Sequence, residues 1–91
     1  DYEILEPAAD ALAEPAPHAA SLLLRCMIDS VLERGSSSAY GHIARCLTVC
    51  EALAARVDWR AAGAPSHPDY VDGLRRRHGR KSSFWSQVGT G

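Results

Sequence analysis

The sequence has few cysteines, few aromatic residues and no long apolar run. Three cysteines is an odd number, and their spacing lacks the paired pattern of a secreted disulfide scaffold. The longest apolar stretch, residues 19–24, is interrupted by Ser21 and is far too short to span a bilayer. A basic-then-apolar leader is also missing. These features predict reduced thiols in a cytoplasmic protein that does not enter a membrane.

Aromatic residues make up 7% of the 91-residue chain, while 46% of it is apolar. This balance argues against a β-sandwich and favours helices that bury aliphatic side chains. Ninety-one residues suffice for one small domain, residues 1–91, and we expect it to be a C-terminal fragment of a longer helical-repeat protein. That expectation rests in part on a chain that begins with Asp1 instead of Met.

Charge is balanced overall but unevenly distributed. The net charge is −1, so the chain as a whole is not committed to nucleic acid or to membrane surfaces. Up to Glu33, Arg25 is the only basic residue. The opposite end carries a basic cluster made of Arg75, Arg76, Arg77, Arg80 and Lys81.

Helical periodicity and end signals predict four helices and a short terminal one. The helices are Tyr2–Glu14, Pro17–Arg34, Ala39–Val57, one that begins at Ser66 or His67 and ends at Gly79, and a last turn that carries Phe84 and Trp85. Pro7 is tolerated only in the first turn of a helix or at a kink, so a start near Ile4 or at Pro7 is the alternative for the first helix. No β-hairpin signal occurs.

The stretch Ala39–Val57 is predicted to be the central helix, because it has two adjacent apolar stripes. These are Tyr40, Ile43, Ala44, Leu47, Cys50, Ala54 and Val57, and beside them His42, Cys46, Val49 and Leu53. The preceding helix has a narrow polar row, predicted to be a solvated edge, at His18, Ser21, Arg25, Asp29 and Glu33. Residues 58–66 are predicted to be a loop from which Trp59 folds back as a hydrophobic plug.

These elements predict an all-α fold, an antiparallel array of four to five helices. The pair formed by the second and central helices has about the length of one tetratricopeptide-like unit. Because a single unit cannot bury both its faces, the flanking helices are expected to cap it as in an α-solenoid.

Three stretches of the chain resemble an uncharacterised bacterial family of unknown function, DUF6880. They are residues 70–85 (YVDGLRRRHGRKSSFW), residues 20–29 (ASLLLRCMID) and residues 39–45 (AYGHIAR). The tail is also similar to that of some proteins with a SWIM zinc finger, although this chain has neither the Cys-x-Cys motif nor the His pair of that finger. The resemblance implies a C-terminal, all-helical, repeat-like module and supplies no reaction.

His42, Cys46 and Cys50 recur every four residues on the central helix and suggest a metal site. Residues eight positions apart are separated by about 12 Å along a helix, so one ion with bonds of about 2.0–2.3 Å cannot reach all three. A pair with a ligand from elsewhere, such as His18 or Cys26, stays open, but the prediction is packing without a metal. Cys46 and Cys50 are equally unsuited to a redox pair, since no Cys-x-x-Cys motif accompanies them.

The basic cluster and Trp85 are the best candidates for contact with a partner. Arginines with nearby aromatics can grip phosphates and stack a base, but a nucleic-acid domain usually carries a higher net positive charge and a second basic element. We therefore predict a protein partner or a homo-oligomer, with nucleic acid as the alternative. A protein partner would meet a groove between the polar rows of the second and central helices.

No catalytic motif is present in the sequence. It has no Gly-rich phosphate loop, and spacing supports no nucleophile–base pair. Asp29 with Arg25, and Asp69 with Asp72, are better explained by an exposed edge and by the first turn of a helix. We predict a non-enzymatic interaction or capping module without a cofactor.

Overall fold

The computed structural model describes residues 2–88, with side chains from residue 6 onward, and this part of the chain is all-helical. Its helices are α1 (Tyr2–Leu12), α2 (Pro17–Arg34), α3 (Tyr40–Ala54), α4 (Trp59–Ala62), α5 (His67–His78) and α6 (Ser82–Val88). A 3₁₀ turn, Ser37–Ala39, precedes α3. Within residues 2–88 no strand forms, so the all-α prediction is confirmed.

The bounds of α2 are those that its end signals predict. Pro17 occupies the first turn, where its missing N–H leaves no hydrogen bond unmade. Gly35 adopts a left-handed conformation at φ 67° and donates its N–H to the carbonyl of Leu32. The next N–H, from Ser36, reaches the carbonyl of Val31. Pro17 and Gly35 therefore set the two ends of α2 through local backbone chemistry.

The central position of α3 is confirmed, but its ends differ from the prediction. It packs against α2 on one side and against α6 on the other. The serines before it make no side-chain cap; the 3₁₀ turn leads into the helix instead. The helix ends at Ala54, three residues before Val57. Val49 was predicted to be buried and is 46% exposed, because α2 and α6 leave that side of α3 open.

The region after α3 is more ordered than the predicted loop. The carboxylate of Asp58 accepts a hydrogen bond from the N–H of Ala61 at 3.1 Å and starts the short helix α4. Trp59 folds back as predicted, and its Nε1–H donates to the carbonyl of Ala54 at 3.2 Å. Ser66 then caps α5 by accepting from the N–H of Asp69 at 3.3 Å, which confirms the predicted start of that helix.

Helix α1 runs from Tyr2, as predicted, and contains Pro7 in its interior, so the alternative starts near Ile4 or at Pro7 are wrong. The helix ends at Leu12, and Arg56 satisfies the free carbonyls that follow. Its guanidinium donates to the carbonyls of Ala13 and Glu14 at 3.1 and 3.0 Å. Arg56 thereby fastens the end of α1 to the segment after α3.

The hydrophobic core lies mainly between α2 and α3, with contributions from the later helices. Its largest fully buried side chains are Phe84, Met27, Ile28, Leu32, Ile43, Leu74 and Val31. Phe84 meets Tyr40 edge-to-face with ring centroids 5.9 Å apart, so α6 is anchored on α3. In the described part of the chain, no helix combines the length and the apolarity needed to cross a bilayer.

Candidate functional site

The structure brings all five members of the basic cluster to one surface. Arg75, Arg76, Arg77, Arg80 and Lys81 line a shallow cavity of about 350 Å³ where α5 ends and the chain turns into α6. His78 lies among them, and burial together with the neighbouring Arg77 and Lys81 lowers its pKa from the ordinary value. The histidine is therefore neutral at pH 7, and the positive charge of this surface comes from the arginines and the lysine.

Trp85 is part of the fold at this surface and is not an open platform for a base. The guanidinium of Arg75 lies 4.1 Å from the Trp85 ring centroid. The ring packs against Phe84 at 4.9 Å, and its Nε1–H donates to the carbonyl of His78 at 2.9 Å. Trp85 thus closes the end of α5 and holds Arg75, which leaves fewer groups of the cluster for a ligand than the sequence indicates.

Arg77 is also engaged within the domain. Its Nε–H donates to the carbonyl of Gly73 at 3.2 Å, and its Nη2 lies 3.9 Å from Asp29 on α2. Arg76 and Arg80 are exposed, and among the side chains of residues 6–88 neither of them takes part in an ion pair. These two arginines are the members of the cluster best placed to meet an anion.

The predicted solvated edge of α2 is wrong at Ser21 and Arg25, because α4 and α5 cover Arg25, and correct at Glu33, which is exposed. Arg25 is 5% exposed, and Ser21 is fully buried. The Arg25 guanidinium lies 4.1 Å from the ring centroid of Trp59 and 4.6 Å from that of Tyr70. Burial lowers the pKa of Arg25 from its ordinary value. Two aromatic faces take the place of water around this cation.

Tyr70 joins α5 to α2 through its hydroxyl as well as its ring. The hydroxyl oxygen lies 2.9 Å from a carboxylate oxygen of Asp29 and 3.2 Å from the carbonyl oxygen of Arg25. Burial, followed by the charge of Asp29, raises the pKa of the Tyr70 hydroxyl. The tyrosine is therefore a stable donor, and this polar contact is structural.

A groove lies between α3 and α5 and is called the α3–α5 groove below. Its volume is about 500 Å³, and it is lined by Leu47, Thr48, Glu51, His67, Pro68, Val71, Asp72 and Val88. The exposed carboxylates of Glu51 and Asp72 stand on the two facing helices. Burial lowers the pKa of His67, so this imidazole is neutral at pH 7. The groove combines an apolar lining with negative charge.

This position differs from the predicted groove between the second and central helices. There, Arg25 and Ser21 are covered, whereas the open groove uses the other flank of α3 together with α5. The sequence does not predict the α3–α5 groove, because the pattern of residues 66–72 indicates only the start of a helix.

The three predicted ligand candidates on α3 do not converge. Cys50 is 1% exposed on the flank that faces Arg25. His42 and Cys46 instead meet Glu6 of α1, with His42 Nε2 3.1 Å from Glu6 Oε2 and Cys46 Sγ 4.0 Å from the same oxygen. All three cysteines are free thiols. Glu6 escaped the sequence prediction, since nothing local connects it with a helix 36 residues further on.

Comparison with protein families agrees with the resemblance of the three stretches. Residues 1–87 match the model of a family of unknown function, DUF6880. The chain belongs to this family. No curated protein and no solved structure matches the chain. This DUF6880 domain must therefore be interpreted from its own surfaces.

Proposed function

We propose that this DUF6880 domain is a non-enzymatic, helical protein-interaction module that binds a segment of a partner protein in the α3–α5 groove. The observation that supports this is the apolar lining of the groove between two facing carboxylates, Glu51 and Asp72. A volume of about 500 Å³ accommodates a few side chains of a bound segment.

The charge of the groove defines the kind of partner. Among the side chains of residues 6–88, neither Glu51 nor Asp72 takes part in an ion pair, and burial of His67 disfavours its charged form by lowering its pKa. A complementary segment presents an apolar anchor to Leu47 and Val71 and places Lys or Arg on either side. An amphipathic helix with basic flanks has this pattern.

The arrangement of the helices suggests a place in a larger protein. α2 and α3 pack against each other across a short turn, and α1 and α6 each cover an outer side of this pair. We propose that the pair is tetratricopeptide-like and that the domain caps the end of a cytoplasmic helical-repeat protein of bacterial origin. We also propose that the tail of this domain is similar to the tail of some proteins that carry a SWIM zinc finger.

Binding to the groove can be tested with two fluorescent amphipathic helical peptides that differ only in flanking Lys or Glu. Fluorescence polarisation should detect the Lys peptide alone, and amide chemical shifts should move along α3 and α5. The double variant Glu51→Gln, Asp72→Asn should weaken binding about tenfold, the loss expected for two peripheral charge contacts. If neither peptide binds, the proposed groove function is rejected.

A matched control separates the groove from general charge attraction. Asp10 and Glu33 are exposed acids outside the groove, so Asp10→Asn with Glu33→Gln removes the same charge. This control should keep wild-type affinity for the Lys peptide. An equal loss in both double variants means that net charge, not the groove, attracts the peptide.

Nucleic-acid binding is a second candidate, supported by the convergence of five basic side chains on one surface. Single-stranded and duplex DNA and RNA should then bind with an affinity that falls as salt rises. Arg76→Ala with Arg80→Ala should reduce the salt slope by about 2. Arg34→Ala with Arg60→Ala, two exposed arginines elsewhere, is the control of equal charge. Absence of binding at low salt excludes this candidate.

A further inference from the structure

A cluster of three metal-ligating side chains lies where α1 meets α3. It consists of Glu6 from α1 and of His42 and Cys46, one helical turn apart on α3. One ligand atom from each residue lies within 4.8 Å of the other two. We propose that Glu6, His42 and Cys46 form a zinc site that ties α1 to α3.

The distances suit a tetrahedral ion after a small adjustment. Zinc bonds of about 2.0–2.3 Å place neighbouring ligand atoms about 3.3–3.8 Å apart in a tetrahedron. The His42–Glu6 contact of 3.1 Å is slightly shorter, and the Cys46–Glu6 contact of 4.0 Å is slightly longer. The ligand atoms of His42 and Cys46 lie within 4.8 Å of each other, so the imidazole must adjust as well. Glu6 and His42 are the adjustable members, since their side chains are 39% and 24% exposed and can rotate without disturbing the core.

The chemistry of the three side chains suits zinc, as their geometry does. A thiolate and a carboxylate together neutralise the two positive charges of the ion, and a neutral imidazole adds a nitrogen ligand. Zinc binding replaces the S–H bond of Cys46 with an S–Zn bond and releases that proton to solvent. Binding therefore strengthens as pH rises.

His42 must present Nε2 to the ion, which places its proton on Nδ1. The Nη2 of Arg45 lies 3.5 Å from Nδ1 of His42. Once Nδ1 carries the proton, two donors face each other, so Arg45 must move away. Arg45 is exposed and can turn into solvent, so it offers no barrier. The His42 side chain is 24% exposed, which gives the ion a path to the site. Three protein ligands leave the fourth position to water.

Cobalt and zinc titrations of the purified metal-free protein test this site. One equivalent of Co²⁺ should produce a thiolate-to-cobalt absorption band and the intense visible bands of a tetrahedral complex. Zn²⁺ should displace the cobalt, bind at one ion per chain and raise the melting temperature. A protein that shows no thiolate band and no zinc retention at micromolar metal overturns the proposal.

Three variants assign the ligands. Glu6→Gln should keep the fold, because Glu6 lies at the surface, and should weaken zinc binding at least about tenfold, since even changes around a ligand cost 10–100-fold. Cys46→Ser should abolish the thiolate band. Cys26→Ser removes an exposed thiol elsewhere and should change neither readout. Wild-type zinc affinity in Glu6→Gln, or a thiolate band lost in Cys26→Ser, contradicts the assignment.

Discussion

The buried arginine of α2 provides the sharpest test of how this fold is stabilised. We expect Arg25→Met to leave the free energy of unfolding within about 1 kcal/mol of the wild-type value, because burying a guanidinium brings little net gain. Arg25→Ala should lower it by about 3 kcal/mol, since the same substitution also removes the packed side-chain stem. The comparison separates the contribution of charge from that of packing at one position.

The expected near-neutrality of Arg25→Met follows from two opposing effects. Contacts of the guanidinium with the Trp59 and Tyr70 rings, at 4.1 and 4.6 Å, are each worth about 1–2 kcal/mol when desolvated. Against them, Nε and Nη2 of Arg25 are buried without an acceptor in the described part of the chain, and each such donor costs about 1–3 kcal/mol. Burial also lowers the pKa of Arg25, which means that this environment disfavours the charged guanidinium.

The stem of Arg25 accounts for the expected difference between the two variants. Alanine keeps Cβ, so Arg25→Ala removes two methylenes, Cγ and Cδ, worth about 1.6 kcal/mol at about 0.8 kcal/mol each, and the space left by alanine adds to the loss. Methionine fills most of that space and keeps contact with the two rings. At 4–8 °C per kcal/mol, the melting temperature should fall by about 12–24 °C in Arg25→Ala and by less than about 8 °C in Arg25→Met.

Thermal and urea unfolding followed by circular dichroism measure both variants. If Arg25→Met is as unstable as Arg25→Ala, the charge itself holds α4 and α5 on α2, and the reasoning above is refuted. If Arg25→Ala has no effect, the side chain is not packed as described.

Three further predictions concern thiols and the turn before α6. Ellman's reagent should modify the exposed Cys26 at once and the buried Cys46 and Cys50 only as the protein unfolds, which a time course with and without urea measures. Stability should fall above pH 9, because pKa values raised to about 11 for Cys46 and about 12 for Cys50 let the unfolded chain lose those protons first. For each thiol, the free energy of unfolding then falls by about 1.4 kcal/mol per pH unit up to the pKa of that thiol in the folded protein, and Tyr70 acts in the same direction. The midpoint of urea unfolding at pH 8 and at pH 10.5 tests this. An unchanged midpoint contradicts it. Gly79→Ala places a Cβ 2.5 Å from a backbone carbonyl of the preceding turn, so we expect a loss of about 2 kcal/mol, measured by urea unfolding. A wild-type urea midpoint would show that the turn adjusts without strain.

Local chemistry explains which parts of this fold were predictable. Pro17 and Gly35 determine the ends of α2 through a missing N–H and a left-handed φ, and both act within a few residues. Ser66 starts α5 in the same way. The early end of α3 at Ala54 was not predicted, because Trp59 donates to the Ala54 carbonyl from a separate helix. Sequence patterns predicted helix ends that are set by a capping residue, a proline or a glycine, and missed the end at which a side chain folds back onto the helix.

The polar row of α2 shows why surface assignments are harder. Amphipathic spacing assigns polar residues to water, and Arg25 satisfies that pattern as well as any residue of the row. Its burial depends on Trp59 and Tyr70, two aromatic residues more than thirty positions away that supply faces for a cation. The periodicity of α2 alone contains no information about those partners.

The cluster on α1 and α3 illustrates the same limit for a binding site. Helical rise correctly separates Cys50 from His42, but it says nothing about a third ligand on another helix. The i, i+4 spacing of His42 and Cys46 places two ligands on one face of α3. The third ligand, Glu6, lies on α1. In a small helical domain a site of three side chains is built most readily between helices, because one turn of a single helix offers room for only two. The search for such sites should therefore begin from i, i+4 ligand pairs and extend to the acidic faces of the helices packed beside them.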